Sequence, residues 1–188
     1  GSSLLFYAGW ELIIVGLLCV LFAFLYTTGP YPLSYNGWGD ILVIVFFGFV
    51  PVGGTYYVQA LTWTTDTTIA SLICGLLIDT LLVVNNYRDR EADARSGKRT
   101  VIVRFGEKFG SYLYLMLGVT ASLLCFWFLF EGHLYAALLP LLYLIPHFLT
   151  WKRMVRIHSG KKLNSILGET SRNMLLMGVL LSIGFFLN

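Results

Sequence analysis

The stretch "NNYRDREADARSGKRT", Asn85 to Thr100, gathers Asp89, Glu91 and Asp93 among Arg88, Arg90, Arg95, Lys98 and Arg99. It follows directly on the apolar run "IASLICGLLIDTLLVV". On a helix, Asn85, Asp89 and Asp93 fall at i, i+4 and i+8 and form one polar stripe, with neighbours about 6 Å apart. Two carboxylates at that spacing repel one another unless a cation stands between or before them. Two cations compete for the position. A flanking arginine, Arg88, Arg90 or Arg95, would make the stripe a surface ion-pair array. Alternatively, the oxygens of Asn85, Asp89 and Asp93 suit Mg²⁺, which takes one or two carboxylates and completes its shell with water and phosphate oxygens. In that case Lys98, Arg99 and Arg104, with Arg88 alongside, would hold the outer oxygens of a diphosphate.

The elements that position this stripe are set by the solvent. The chain has 188 residues, of which 57% are hydrophobic and 12% charged, and its mean hydropathy is +0.74. A soluble domain carries about 25% charged residues. Six apolar runs, Leu12–Tyr26, Ile41–Leu61, Thr68–Val84, Phe109–Phe130, Leu134–Trp151 and Ile166–Leu187, come close to the roughly 20 residues that cross a bilayer as helix. Glu169 and Arg172 shorten the membrane part of the last. Their continuity excludes the alternating pattern of a β-barrel. The expected fold is all-α, a polytopic transmembrane helix bundle forming one domain over residues 1–188.

No Lys or Arg precedes Arg88, and all 13 lie within Arg88–Lys108 and Lys152–Arg172. Six crossings put both clusters and the loop "TTGPYPLSYNGWGD" on one side, expected to be cytoplasmic. The loops around Asp66 and Glu131–His133 fall on the other. The net charge of +3 is thus chiefly a topology signal, and no nucleic-acid partner is expected. The protein would be multi-pass in the cytoplasmic membrane, with the stripe at the inner mouth. Ionisable groups at that depth are costly and usually functional.

The remaining features read more plainly. Cys19, Cys74 and Cys125 lie in spans and are expected to be small apolar residues. The start lacks the basic region of a cleavable signal. Gly48, Pro51, Gly53 and Gly54 suggest close packing and a kink in the second span, and Gly97 a stop for the charged helix. His147 is expected to be a satisfied packing group. Asp79, mid-span on about the face of Asn86, is either a pocket residue or an acid paired inside the bundle. The loop before Asp40 is either a plain connector with interfacial aromatics or a cover for the mouth.

"NNYRDREADARSGKRTVIVRFG" resembles the second aspartate-rich motif of the UbiA superfamily of intramembrane prenyltransferases, and "YTTGPYPLSYNGWGDILVIVFFG" supports it. The pairing of "NNYRD" with "GKRT" and "RFG" resembles the menaquinone-pathway branch, and the likeness covers essentially the whole chain. It implies a nine-helix fold of which these six spans match helices four to nine. The family's first motif, of the NDxxDxxxD type, does not occur in this sequence. The resemblance further implies transfer of a polyprenyl group from polyprenyl diphosphate to an aromatic acid, 1,4-dihydroxy-2-naphthoate, with loss of diphosphate and CO₂. Asp89 and Asp93 would be catalytic through Mg²⁺, while Asn86, Tyr26, Tyr35 and Asp40 would bind substrate. The alternatives are another acceptor such as 4-hydroxybenzoate, or an inactive fragment. A CDP-alcohol phosphotransferase would carry a longer Asp-Gly and Ala-Arg motif. A transporter would spread polarity over several spans.

Overall fold

The centre of the molecule is the helix that carries the stripe. A computed structural model describes residues 8–187, and these are all-helical, with no strand among them. Six helical stretches follow one another. α1 is Glu11–Thr27 and α2 Gly39–Ala60. α3 is Thr65–Arg95 and α4 Val101–Leu124, continued by a turn to Phe130. α5 is Leu134–Ile157, with a 3₁₀ stretch at Leu139–Tyr143, and α6 is Asn164–Phe186. Over half of α3's apolar window (56%) is buried, against 11% for α2, so α3 is the core strut and α2 lies outside it. Ile73, Leu77, Val83 and Val84 form its inner face.

Four helices, α2 to α5, are long and apolar enough to cross a membrane. α1 is apolar but has 17 residues. α6 is long enough, yet Glu169, Arg172 and Asn173 occupy its first half, and it does not join that set. The expectation of six spans, the last shortened by Glu169 and Arg172, is therefore narrowed to four by length and composition among the described residues.

Two further expectations change. The second span is π-wound from Ile44 through Pro51 to Gly53. Within that stretch Gly48 meets Gly75 of α3: a Cβ on Gly75 would stand 2.9 Å from Ile44 Cα. Gly54, by contrast, faces open space and takes no part in packing. The second loop, which the sequence reads as running from Asn85 to about Lys108 and beginning as a continuation of its membrane helix, is also shorter. Thr100 Oγ1 accepts from Val103 N at 3.3 Å and starts α4 at Val101, which buries Ile102. Gly106, at φ +88°, then breaks the helix. Gly97, at φ +78°, stops α3 as expected.

The ends of the bundle sort as the charges predict. Trp127 Nε1 donates to Asp66 Oδ1 at 2.8 Å, joining the two loops that lack cations. At the other end, Arg99 N donates to Tyr35 O at 2.7 Å and Arg90 Nη1 to His158 O at 3.0 Å. These bonds tie the first loop and both basic clusters together. His147 is a satisfied core group: Nδ1 lies 2.9 Å from Tyr143 Oη and its ring stacks on Tyr114 at 4.6 Å.

Gly75→Val is expected to force α2 off α3 and cost about 1–3 kcal/mol, as overpacking does. Gly54→Ala is expected to be neutral or slightly stabilising, because it only improves helix propensity. Unfolding in detergent followed by tryptophan fluorescence checks both.

Candidate functional site

α3 outlasts its apolar run by about three turns, and those turns carry the stripe out of the bundle. The helix continues because Arg88, Glu91, Ala92, Ala94 and Arg95 are good helix formers and no Pro or Gly intervenes before Gly97. Arg88 gathers the first two stripe members. Its Nε donates to Asp89 Oδ1 at 2.7 Å and its Nη2 to Asp89 Oδ2 at 2.6 Å. Nη2 also donates to Asn85 Oδ1 at 2.7 Å, and Nη1 reaches α6 at Asn164 Oδ1, 2.9 Å away. Asp93 is served by Lys98, with Nζ 3.5 Å from Oδ1.

Arg88 is therefore in place as the ion-pair reading expects, whereas Asp93 takes Lys98 rather than Arg90 or Arg95. These cations do not use up the oxygens. Asp93 Oδ2 is buried and has no hydrogen-bond partner among the described residues. A buried, unpaired carboxylate oxygen is costly, and it is the kind of donor a hard cation accepts. The set of Asn85, Asp89 and Asp93 is all oxygen and fits Mg²⁺ in kind. It supplies two carboxylates only; among the described residues no group of three His, Cys, Asp or Glu could hold a metal. Further oxygens must come from substrate phosphates, water or another part of the protein.

The other expected residues fall into two groups. Tyr26, Asp40, Asn85, Asn86 and Lys98 line one polar cavity of about 60 Å³, with Ser34, Gly37, Gly39 and Thr100. It has room for a few waters, so a bicyclic acid could enter only if the loop moved. Tyr26 is shared with a larger apolar groove of about 500 Å³ between α1 and α2, lined by Cys19, Phe22, Ala23, Leu42, Phe46 and neighbours. Polar mouth and apolar groove thus meet at one tyrosine. Asp40 Oδ1 is buried without a hydrogen-bond partner among the described residues. Asp79 is 1% exposed and its Oδ1 is likewise unpartnered among the described residues. The two carboxylates lie within each other's electrostatic reach, and Asp79 has no ion-pair partner among the described residues.

The second group straps the loop. Arg104 Nη2 donates to Asn36 O at 2.7 Å and Nε to Arg99 O at 3.0 Å. Tyr35 contributes its carbonyl to Arg99 N and leaves its side chain half-exposed. A Cβ on Gly37 would stand 2.9 Å from Arg99 O, so the loop lies flat on the start of α4. The loop covers the polar cavity, held by the Arg99–Tyr35 backbone bond and the Arg104 guanidinium. Arg90, on the other flank of α3, bonds Tyr87 O and Glu107 and ties helices together.

Sequence reasoning missed Asn164, Ser34 and Thr100. Asn164 stands 76 residues from Arg88 and nothing local marks it. Thr100, in contrast, was legible as a cap before the apolar pair Val101–Ile102.

The sequence model of the UbiA prenyltransferase family matches residues 1–185. The 1,4-dihydroxy-2-naphthoate octaprenyltransferase of Haemophilus influenzae is 33% identical over 195 residues, covering 99% of this chain and 59% of that protein. The Escherichia coli protein of the same name is 33% identical over 94% of this chain and 58% of its own length. That of Mycobacterium tuberculosis is 43% identical over 63% of this chain and 40% of its own. The chain thus spans less than two thirds of these relatives. No solved structure matches it.

Proposed function

The chain belongs to the UbiA prenyltransferase family, and on that premise we propose that the protein transfers a polyprenyl group from an allylic diphosphate to 1,4-dihydroxy-2-naphthoate. The observation that carries this reading is a polar cavity lined by Asn85 of the stripe and Lys98 of the basic set, which meets an apolar groove at Tyr26. One amphiphile with a diphosphate head and a hydrocarbon tail suits that junction. The named relatives support the acceptor.

Asp89, Asp93 and Asn85 would hold Mg²⁺, which supplies positive charge against the diphosphate as it leaves. Arg88, Lys98 and Arg99 would bind the outer phosphate oxygens, Arg88 by releasing Asp89 and Lys98 by releasing Asp93, while Arg104 holds the loop through Asn36 O and Arg99 O. The prenyl tail lies along Phe22, Phe46 and Leu42. As the allylic C–O bond breaks, the electron pair goes to diphosphate and an allylic cation remains. The acceptor ring carbon attacks it. The carboxylate on that carbon then leaves as CO₂, and the electron pair of its bond restores the ring. Tyr26, Asp40, Asn86 and Tyr35 shape the acceptor pocket. The strapped loop and the lipid-facing helices keep water from the cation. The protein works as an integral membrane protein of the cytoplasmic membrane, with this mouth inside.

Full-length protein given Mg²⁺, a polyprenyl diphosphate and equal dihydroxynaphthoate and 4-hydroxybenzoate is expected to prenylate the naphthoate, releasing one CO₂ per product. EDTA is expected to stop the reaction and added Mg²⁺ to restore it. Preference for 4-hydroxybenzoate would overturn the acceptor, and turnover unaffected by EDTA would overturn the metal.

A further inference from the structure

A second polar site lies on the far side of α6. Asn164, which meets Arg88, and Asn173 are nine residues apart; at about 100° per residue they point in opposite directions. On the Asn173 side, α5 and α6 border an open groove of about 450 Å³. Lys152, Arg153, Arg156 and Arg172 rim it, and Pro146 and Leu149 form its apolar wall. Its floor is built of buried polar groups. Asn173 Nδ2 donates to Thr150 Oγ1 at 2.9 Å, and Thr150 Oγ1 donates to Glu169 Oε2 at 3.5 Å. Glu169 Oε1 holds Arg153 Nη1 at 2.7 Å. Thr150 is 3% and Asn173 7% exposed.

This floor fixes one guanidinium in place and leaves four cations against one carboxylate. Arg156 and Arg172 are exposed and have no ion-pair partner among the described residues. Topology alone needs only loose charge, which Lys161 and Lys162 already supply in the α5–α6 loop. The apolar wall runs on past the charges, because Leu176 lies one turn beyond Asn173 on the same face and is partly exposed. Basic pockets between membrane helices at the inner face recognise lipid headgroups.

We propose that this groove seats an anionic phospholipid, with its phosphodiester on Arg153, Arg156 and Arg172 and its acyl chains along Leu149 and Leu176. The site is separate from the prenyl-transfer mouth and does not depend on the function proposed for it.

Native mass spectrometry of the full-length protein from neutral detergent tests this with phosphatidylglycerol and with phosphatidylcholine of the same acyl chains. The expected result is retention of phosphatidylglycerol about tenfold tighter. The preference should vanish in Arg156→Gln/Arg172→Gln and weaken in Leu149→Trp, which crowds the wall without altering charge. It should survive Lys161→Gln/Lys162→Gln, with melting curves confirming that each variant is folded. Equal retention of both lipids, or an unchanged preference in the folded groove variants, would overturn the proposal. So would displacement of the lipid by an equal concentration of glycerol phosphate, which marks a bare-anion site. Equal loss in the lysine pair would overturn it too, by marking diffuse surface charge.

Discussion

Asp93→Ala and Asp89→Ala in the full-length protein are expected to lower prenyl transfer by about 10³-fold and leave the protein folded and membrane-inserted. The size follows from what a metal contributes: several kcal/mol of charge stabilisation in the transition state, at about 1.4 kcal/mol per tenfold in rate. The spared fold follows from position. Both residues lie beyond the apolar run on a helix whose packing is set below them, by Val83, Val84 and Tyr87. The Lys98–Asp93 contact is 3.5 Å long and partly exposed, so its loss costs no more than about 1 kcal/mol. Steady-state turnover and thermal melting of the same preparations separate the two effects. Near-normal turnover in either variant would remove the metal-site reading. Lost turnover together with lost folding in both would make the stripe structural.

Arg88→Ala carries the second large effect. This side chain bonds Asn85, Asp89 and Asn164 at once, which makes it the cation at the first two members of the stripe. On the proposed reading it changes partner, from the Asp89 carboxylate to the diphosphate. The KM for the prenyl diphosphate is therefore expected to rise about 10–100-fold, the worth of a charge-assisted bidentate contact of roughly 1.5–3 kcal/mol. Arg88→Lys should restore only part, since an ammonium lacks the fork. Asn164→Ala breaks the tie to α6 and keeps the guanidinium, so it should leave that KM unchanged. A rise in KM equal to that of Arg88→Ala would mean that Arg88 acts only by holding α6.

Much of this was legible in the sequence, for identifiable reasons. Apolar runs near bilayer length placed the helices, because a chain in lipid has few other ways to satisfy its backbone. The spacing of Asn85, Asp89 and Asp93 needed only helical geometry to become a stripe. The distribution of Lys and Arg sorted the two ends before any coordinate did. What was illegible depends on contacts distant in sequence. The close seat of α2 on α3 depends on Gly48 meeting Gly75, and Asn164 reaches Arg88 only through the packing of α6. The early start of α4 was hidden differently: charged Arg104, Glu107 and Lys108 read as loop, while Thr100 and buried Ile102 had already begun a helix. Arg104 looked like a phosphate ligand by type and place, and the fold gives it loop carbonyls to hold.

The most direct measurement is calorimetric titration of the full-length protein with a non-hydrolysable prenyl thiolodiphosphate, with and without Mg²⁺. The account predicts binding that requires Mg²⁺ and is lost in Asp93→Asn, while the variant's melting temperature stays close to the parent's. Equal affinity without the metal, or unchanged affinity in Asp93→Asn, would contradict it.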